Sequence, residues 1–443
     1  YERPVARPRG QDALQADDPW PDLEGRCGAS TDLSEELLSL LSTPTVGDSS
    51  WVWRQYDHQL FLGTVLGPGG DATVLRLKET SKALALSVDG KARFCRLEPR
   101  WGGRLAVVEA ARNVACAGAV PRALVNCLNF GNPEHPEVMW QFSEVVAGIS
   151  EACTALGIPV VGGNVSFYNE SDGIDIDPTP VVGVVGVRDP LGDRVPPGPA
   201  FREGQRVVVL GGTRAELGGS EWAAVVHRLR GGLPPAVDLD EAGRLHELVR
   251  RLVVDHLAAA VHDCSDGGLA VALAEMAILG EVGVELDLGR ADDLSMLHPA
   301  AALFSESTSR VVLGVEDADV GEVCGRAAAA GDAHAGGEAG STGSGAGTAG
   351  VASAASTSSG SAKVRPSASV AAGAGSGSGS WSTLIMWPVS VGKRDTTLCC
   401  PVGSPPGSST PSKVIPWIGA SGARRPTGVS PGRANAASLM SSA

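Results

Sequence analysis

Residues 159–171 carry the side chains of this sequence that are best suited to chemistry, and they read Pro-Val-Val-Gly-Gly-Asn-Val-Ser-Phe-Tyr-Asn-Glu-Ser. An apolar run leads into the paired glycines Gly162 and Gly163, which let a ligand approach the backbone closely. Asn164 and Ser166 then supply neutral oxygens and donors that suit Mg²⁺ and phosphate. The segment therefore predicts a pocket for a phosphate and a metal. The alternative is a polar turn between two strands, because most glycine turns bind nothing.

The apolar residues around this segment predict alternating strands and helices over residues 51–190, after a linker with one short helix in residues 1–50. The strongest helix covers residues 136–156, because apolar side chains recur on one face and Gly157 follows its end. A second helix is predicted over residues 104–117. Strands are predicted within residues 63–77, at 84–88, at 124–128, at 160–161 and at 181–187.

A second α/β unit is predicted over residues 200–330, after a proline-rich link. Residues 205–210 read as a strand and residues 240–257 as a helix. A short strand at Val261 precedes a further helix, for which Ser265 or Asp266 is the predicted cap. The inward side chains of the helix over 240–257 are predicted to be Leu245, Leu248 and Leu252.

The composition is that of an intracellular enzyme. The 443 residues carry a formal charge of −14, which argues against a general nucleic-acid-binding protein. No apolar run of about 18 residues occurs, and the first residues lack the apolar core of a signal peptide, so we expect no membrane partner and a cytoplasmic location. The nine cysteines show no CxxC pairing, which favours reduced thiols over a zinc site or a disulfide framework.

Five stretches of the chain closely resemble phosphoribosylformylglycinamidine synthase, the synthetase subunit or domain of de novo purine synthesis. Residues 163–170 match its Gly-Asn-Val-Ser-x-Tyr-Asn-Glu signature. The resemblance runs over roughly residues 5–325 and is to the C-terminal half of that enzyme only. The other four stretches, in the family's order, are QYDHQLFLGTVLGPGGDATVL at 55–75, NCLNFGNPEHPEVMWQ at 126–141, HDCSDGGLAVALAEMA at 262–277 and LFSESTSRV at 303–311.

The resemblance implies both a fold and an activity. The fold would be two units similar to aminoimidazole ribonucleotide synthetase: an N-terminal unit whose mixed sheet pairs with its counterpart in the other half, and a C-terminal glycine-rich α/β unit. The activity would convert the amide of formylglycinamide ribonucleotide to an amidine. ATP would phosphorylate the amide oxygen, and ammonia derived from glutamine by a glutaminase subunit or domain would displace the phosphate. Mg²⁺ would neutralise the triphosphate.

The resemblance also implies the roles of four residues. Asn164 would be a Mg²⁺ ligand, Gly163 would lie against ATP, and Ser166 would bind the substrate. Asn126 would contact ATP, although the family often has Asp at this position, and an amide lacks the charge that binds Mg²⁺. The alternatives are an Asx turn for Asn164 and, for Asn126, a strand-end side chain satisfied by nearby backbone.

No catalytic residue is assigned within this chain. The family's catalytic histidine, ATP-binding lysine, main Mg²⁺ carboxylates and substrate arginine belong to its N-terminal half, so the chain alone is predicted to be inactive. Asp71 lies in a loop that resembles an auxiliary, structural nucleotide site. Asp266 marks either an anion site or a simple cap at a helix start. His262 and Asp263, adjacent in a strand, are predicted to face opposite ways.

Two other interpretations of the function remain open. One is a related enzyme of the same superfamily, such as aminoimidazole ribonucleotide synthetase or selenophosphate synthetase. The other is a non-catalytic nucleotide-binding scaffold that acts through a partner.

The composition changes sharply near residue 330, and residues 331–443 form a low-complexity tail. Residues 331–380 are almost wholly Gly, Ala, Ser and Thr, so they are predicted to be disordered. Residues 381–388 and 410–419 are more apolar but sustain no helical or strand period. The tail is either a natural linker with an adhesive end or the product of a shifted reading frame. The second is favoured, because the family resemblance stops in the middle of a domain.

Overall fold

The computed structural model describes residues 3–16, 33–285, 288, 294 and 296–332, together with the backbone of Ile385–Ser390. Short helices precede the first sheet, and the second of them confirms the short helix predicted before residue 50. No helix of the described residues is long and apolar enough to cross a membrane. The short helices are α1 (Gln11–Ala16), α2 (Ser34–Leu41) and α3 (Ser50–Trp53), followed by the 3₁₀ turn Leu60–Leu62.

The N-terminal unit is built on a six-stranded mixed sheet. Its strands are β1 (Thr64–Leu66), β2 (Thr73–Arg76), β3 (Ala83–Asp89), β4 (Val120–Asn129), β5 (Val160–Ser166) and β8 (Thr179–Arg188). They lie in the order β1-β2-β3-β8-β4-β5. Every neighbouring pair is antiparallel except β4 and β5, which run parallel. A short hairpin, β6 (Glu170–Ser171) and β7 (Ile174–Asp175), separates β5 from β8.

Two long helices, which follow the short helix α4 (Ala92–Leu97), pack on one face of this sheet. They are α5 (Pro99–Cys116) and α6 (Pro136–Leu156). The predicted bounds of α6 are confirmed, and Gly157 ends it in the left-handed conformation with φ 66°. Helix α5 begins five residues before its predicted start, because Pro99 suits the first helical turn. The two helices approach closely at Gly103, where an added Cβ would lie 2.6 Å from the carbonyl oxygen of Val145.

The opposite face of the sheet is open. Along β8, buried residues alternate with half-buried ones, as a strand with one covered face requires. Val88 and Val125 belong to the open face and are 72% and 44% exposed. The core of the N-terminal unit therefore lies between the sheet and the helices α5 and α6.

The C-terminal unit contains an antiparallel sheet of five strands. They are β9 (Arg206–Leu210), β10 (Ala260–Asp263), β11 (Gly283–Val284), β12 (Val311–Val315) and β13 (Ile385–Ser390). They lie in the order β10-β12-β9-β13-β11. Its helices are α7 (Glu221–Val225), α8 (Leu239–Val254), α9 (Gly268–Gly280), α10 (Pro299–Phe304) and α11 (Val320–Asp332). The predicted strand at 205–210 is confirmed, and the helix predicted at 240–257 is present but ends three residues earlier, at Val254. Leu245, Leu248 and Leu252 are buried as predicted. Asp238 caps α8 by accepting from two backbone N–H groups.

The predicted cap of α9 is wrong. The residue before this helix is Gly267, with φ 76°, and neither Ser265 nor Asp266 caps the helix with its side chain. The carboxylate of Glu306 instead accepts from the backbone N–H of Gly267 at 2.8 Å. The sequence left open an anion site at the start of this helix, and in the structure the carboxyl group of Glu306 occupies that position.

Strand β13 lies in the tail, where the residue pattern gave no strand. It pairs with β9, for example Met386 with Val208, and with β11. The rest of the predicted disordered segment, residues 333–384 and 391–443, lies outside the described residues. The two-unit α/β fold with a mixed N-terminal sheet is confirmed.

Candidate functional site

The four residues assigned from the sequence lie on two neighbouring strands. The parallel register of β4 and β5 sets Asn126 beside Gly163 and Cys127 beside Asn164, and it continues to Asn129 beside Ser166. Strand β5 therefore extends through Gly162 and Gly163 to Ser166, and the glycine pair does not form a turn. This pairing brings the predicted residues toward the carboxyl ends of two parallel strands.

Strand alternation divides these residues between the two faces of the sheet. Asn126 and Gly163 share the face that α5 and α6 cover, because Asn126 lies two residues from each of the buried Leu124 and Leu128 and therefore faces the same side. Asn164 and Ser166 share the open face with Cys127 and Asn129. β5 forms the edge of the sheet, and all its residues are exposed except the half-buried Ser166.

Gly163 is in close contact with Asn126. A Cβ added to Gly163 would lie 2.6 Å from the carbonyl oxygen of Asn126 and nearer still to its side-chain oxygen. Only a residue without a side chain fits this position. At Gly162, by contrast, the nearest atom to an added Cβ would be Val125 Cγ1 at 3.9 Å.

Asn164 lies within a strand and not in an Asx turn. Its side-chain Nδ2 donates to the sulfur of Cys127 at 3.4 Å. The side-chain oxygen of Asn164 is then the atom that can accept a hydrogen bond or bind a cation. Ser166 is held by the turn that follows β5, because Asn169 Nδ2 donates to its backbone oxygen at 3.0 Å and to its hydroxyl at 3.1 Å. The same Nδ2 donates to the backbone oxygen of Phe130, which joins this turn to the end of β4.

Asn164 is the residue of the open face that the sequence predicts as a Mg²⁺ ligand. The amide oxygen of Asn164 is a hard, neutral ligand of the type that Mg²⁺ accepts. Mg²⁺ requires six oxygens and commonly takes only one or two from protein, with the rest from phosphates and water. The donor set at Asn164 therefore fits a Mg²⁺ ion that arrives bound to a nucleotide.

A carboxylate ties together the two loops beyond β4 and β5. Asp175 Oδ1 accepts from the backbone N–H of Asn132 at 2.7 Å, and its Oδ2 lies 2.6 Å from Nδ1 of His135. The hydrogen bond and the charge of Asp175 raise the pKa of His135. Tyr168 N–H also donates to the Gly131 oxygen at 2.9 Å, so the turn after β5 is bonded directly to the loop after β4.

A second group of polar residues lies buried between the two units. Lys91 Nζ is 2.6 Å from Asp266 Oδ1 and 3.5 Å from Glu109 Oε2. Burial alone would lower the pKa of Lys91, but Asp266 and Glu109 raise it above its usual range. Burial raises the pKa of Glu109 to about 8, although the charge of Lys91 opposes this shift. Burial raises the pKa of Glu306 to about 7.

The same interface joins Arg112 of α5 to the end of β10. Arg112 Nη2 donates to Asp263 Oδ2 at 2.8 Å, and both side chains are buried. His262 Nδ1 lies 2.5 Å from Asp71 Oδ1, and its Nε2 lies 2.9 Å from Glu275 Oε2. Burial would lower the pKa of His262, but the carboxylate of Asp71 raises it well above its usual value.

His262 and Asp263 are closer together than their alternation in a strand predicts. His262 Nδ1 is 3.8 Å from Asp263 Oδ1, because Asp71 contacts both residues: it also accepts from the backbone N–H of Asp263 at 3.1 Å. Ligand atoms of Asp71, His262 and Asp263 lie within 4.8 Å of one another, a spacing that could hold a metal ion. In the structure Arg112 pairs with Asp263 and His262 pairs with Asp71, so both carboxylates already have a cationic partner. We will call the residues Asp71, Lys91, Glu109, Arg112, His262, Asp263, Asp266 and Glu306 the buried ion cluster.

Sequence reasoning missed half of this buried ion cluster. It discussed Asp71, His262, Asp263 and Asp266, yet it did not connect them with Lys91, Glu109 or Arg112. A signal was present, because Glu109 and Arg112 are charged residues in a predicted helix whose other residues are mostly apolar, and unpaired buried charges are costly. The partners come from distant parts of the chain, so only the fold reveals them.

Two family models match the chain. The model of the AIR synthase related protein N-terminal domain matches residues 69–188, and that of the C-terminal domain matches residues 202–350. The first match includes strands β2 to β8, and the second begins before β9 and extends beyond α11.

Individual relatives share about half of the aligned residues. Phosphoribosylformylglycinamidine synthase subunit PurL of Moorella thermoacetica is 49% identical over 316 residues, which cover 71% of this chain and 42% of the relative. The same subunit of Thermobifida fusca is 49% identical over 318 residues, with coverage of 71% and 40%. The chain thus spans about two fifths of the length of these curated relatives.

A solved structure has the same fold. The structure of T. maritima PurL complexed with FGAR superposes with a TM-score of 0.55 at 21% identity, over 70% of this chain and 50% of that chain. Another, T. maritima PurL complexed with ATP, gives a TM-score of 0.52 at 21% identity, with coverage of 69% and 48%.

Proposed function

The chain belongs to the AIR synthase related proteins and resembles the PurL subunit of phosphoribosylformylglycinamidine synthase, and we propose that it supplies binding residues for the ATP-dependent formation of an amidine. The substrate would be formylglycinamide ribonucleotide, and the pathway purine biosynthesis. The observation that carries the proposal is the parallel pairing of β4 and β5, which aligns Asn126 with Gly163 and Asn129 with Ser166 within a region 49% identical to PurL.

The proposed chemistry activates an amide oxygen, which is otherwise a poor leaving group. The oxygen attacks the γ-phosphorus of ATP, the bond to the bridging oxygen breaks, and ADP leaves. Ammonia then adds to the amide carbon, the carbon–oxygen bond breaks, and phosphate departs to leave the amidine. Phosphoryl transfer of this kind depends mainly on positioning and on neutralising charge.

The described residues would act by binding and orientation. Gly163 would let the nucleotide approach the backbone, with Asn126 beside it, and Ser166 would bond the substrate on the open face. Asn164 would hold Mg²⁺, which when bound would neutralise the developing charge on the phosphates. The turn at Asn169 would keep the Ser166 hydroxyl in place, since Asn169 bonds both Ser166 and the end of β4.

Ammonia would come from a separate glutaminase subunit or domain. The support for a glutaminase is the chemistry itself, because amidine formation needs a nitrogen donor.

Calorimetry with ATP and Mg²⁺ tests the proposed roles on the full chain. We expect Asn164→Ala to weaken Mg²⁺-dependent ATP binding by about tenfold, the scale of one lost interaction with a charged group. Asn164→Asp serves as the matched variant, because its carboxylate keeps an oxygen ligand for Mg²⁺ and should retain binding. Circular dichroism checks that each variant is folded.

Repeating the titration with formylglycinamide ribonucleotide separates the ligase from a non-catalytic scaffold. A synthetase site should bind ATP more tightly when the substrate is present, and Ser166→Ala should remove that gain. A scaffold should bind ATP with the same affinity in both cases. ATP binding that is unaffected by Asn164→Ala and by Mg²⁺ would refute the assignment of Asn164.

A further inference from the structure

A surface groove of about 810 Å³ lies between helices α6, α8 and α11. Its charged wall is a stripe of α8 that includes Arg244, Glu247 and Arg251, which recur at helical spacing. Its apolar lining includes Ala155 at the end of α6 and Ala329 of α11. A volume of this size is in the range of small-molecule sites, which run from about 300 to 1,000 Å³.

Most of the charges around the groove are already paired. Arg251 donates to Glu247 at 2.6 Å, and Arg326 of α11 donates to Glu322 at 2.8 Å. Asp240 also lines the groove, but among the described residues no carboxylate oxygen lies within ion-pair distance of Arg244. Arg244 therefore has no direct ion pair in this groove, although its charge also acts on the carboxyl group of Glu241.

Arg244 is also poorly satisfied in its hydrogen bonds. The side chain is half-buried, and its Nε and Nη1 atoms are covered yet have no hydrogen-bond partner among the described residues. Arginine keeps its charge in proteins, so it cannot relieve this cost by losing a proton. A covered, unpaired charge is expensive, and an anion that drew the guanidinium into the groove would remove the cost.

We propose that this groove binds a small organic oxyanion, with its carboxylate or phosphate paired to the guanidinium of Arg244. The apolar body of the ligand would lie against Ala155 and Ala329. Arg244 is suited to this task because its planar fork matches both kinds of oxyanion. The guanidinium of Arg244 favours an oxyanion, and the alanines beside it favour an apolar body on the same ligand.

Calorimetry on the full chain at low salt tests the proposal with three probes: phenyl phosphate, benzoate and inorganic phosphate. Phenyl phosphate and benzoate distinguish a phosphate from a carboxylate ligand, and inorganic phosphate tests the apolar part. We expect at least one organic probe to bind more tightly than inorganic phosphate. Arg244→Gln should weaken that binding by about tenfold or more, and the exposed Arg230→Gln should leave it unchanged.

A second pair of variants guards against misfolding of Arg244→Gln. Ala329 and Ala328 are both exposed on α11, but only Ala329 lines the groove. Ala329→Glu places a negative charge in the groove and should abolish binding of the oxyanion, whereas Ala328→Glu should not. Failure of both organic probes to bind saturably, or equal binding by the wild type, Arg244→Gln and Ala329→Glu, overturns the proposal.

The groove shares no residue with the proposed ATP and substrate positions. Ser166→Ala should therefore leave phenyl phosphate and benzoate binding intact. Loss of probe binding in Ser166→Ala, with Arg244→Gln unaffected, would assign the oxyanion to the open sheet face and refute the groove. The outcome for the groove is thus independent of whether ATP binds near Asn164.

Discussion

The open face at β4 and β5 and the buried ion cluster between the two units use polar side chains in opposite ways. At the open face, Asn164 and Ser166 are neutral, reachable from solvent and bonded to only a few neighbours. In the cluster, Lys91 and Glu109 are ionisable groups with side chains only 11% and 13% exposed. The family signature lies at the first location, whereas the strongest electrostatic interactions lie at the second.

The difference shows that strongly shifted pKa values need not mark the site of ligand binding. Perturbed groups are functional-site candidates, but networks of structural ion pairs perturb pKa values too. Here the cluster joins α5 to the C-terminal unit through Arg112 and Asp263, and Lys91 contacts Asp266 across the same interface. The charged groups of the cluster pair mainly with one another, whereas Asn164 and Ser166 on the open face have few partners.

Replacing Lys91 should produce the largest effect. Lys91→Met leaves the carboxylate of Asp266 without its cation, and breaking a largely buried pair of this kind costs about 3 kcal/mol of unfolding free energy. The matched variant is Lys82→Met, whose pair with Asp189 is about half exposed and should contribute less than about 1 kcal/mol. Urea denaturation measures both. Similar losses for the two variants would show that the cluster is not a stabilising interface.

The pH dependence of stability should separate the two regions next. The pKa of Glu109 rises from its ordinary value of 4.5 to about 8 in the folded protein, chiefly through burial. The folded state therefore binds this proton more tightly than the unfolded state. The resulting stabilisation is complete below pH 4.5 and is lost as the pH rises through about 8. Asp89 and Glu306, with pKa values raised to about 6 and about 7, act in the same direction.

Glu109→Gln should flatten this decline, because glutamine does not titrate. Denaturation midpoints measured across this pH range test the change in slope. The exposed Glu203→Gln is the control and should keep the wild-type profile. A Glu109→Gln protein with the full wild-type decline would assign the pH dependence to other groups.

A smaller effect is expected at the glycine pair of β5. Gly163→Ala introduces a Cβ that collides with the backbone of Asn126, and we expect a loss of about 1–3 kcal/mol in unfolding free energy. Gly162→Ala adds the same methyl group to open space and should stay within about 0.5 kcal/mol of the wild type. Equal stability of the two variants would mean that β5 moves away from β4 easily. ATP titration of both variants then shows whether the close approach at Gly163 also matters for binding.

Local sequence patterns predicted those elements whose signals lie within one segment. Helix α6 has the predicted bounds because its apolar face, Pro136 and Gly157 all agree. Helix α9 shows the limit of such reasoning: Ser265 and Asp266 are good capping residues, but Asp266 pairs with Lys91 and the carboxylate of Glu306 takes the helix start. Strand β13 was not predicted, because its support is the pairing with β9 and not an internal pattern.

The sequence by itself determined the family, the two-unit fold and the identity of the residues proposed to bind ATP, Mg²⁺ and substrate. These follow from segments in which residue order alone is informative. Tertiary structure decided that Asn126 and Gly163 lie on one face and Asn164 and Ser166 on the other, and that distant charges meet in a buried ion cluster. The physical reason is that strand register and burial depend on partners far away along the chain, which set both the face on which a side chain lies and the energy of its charge.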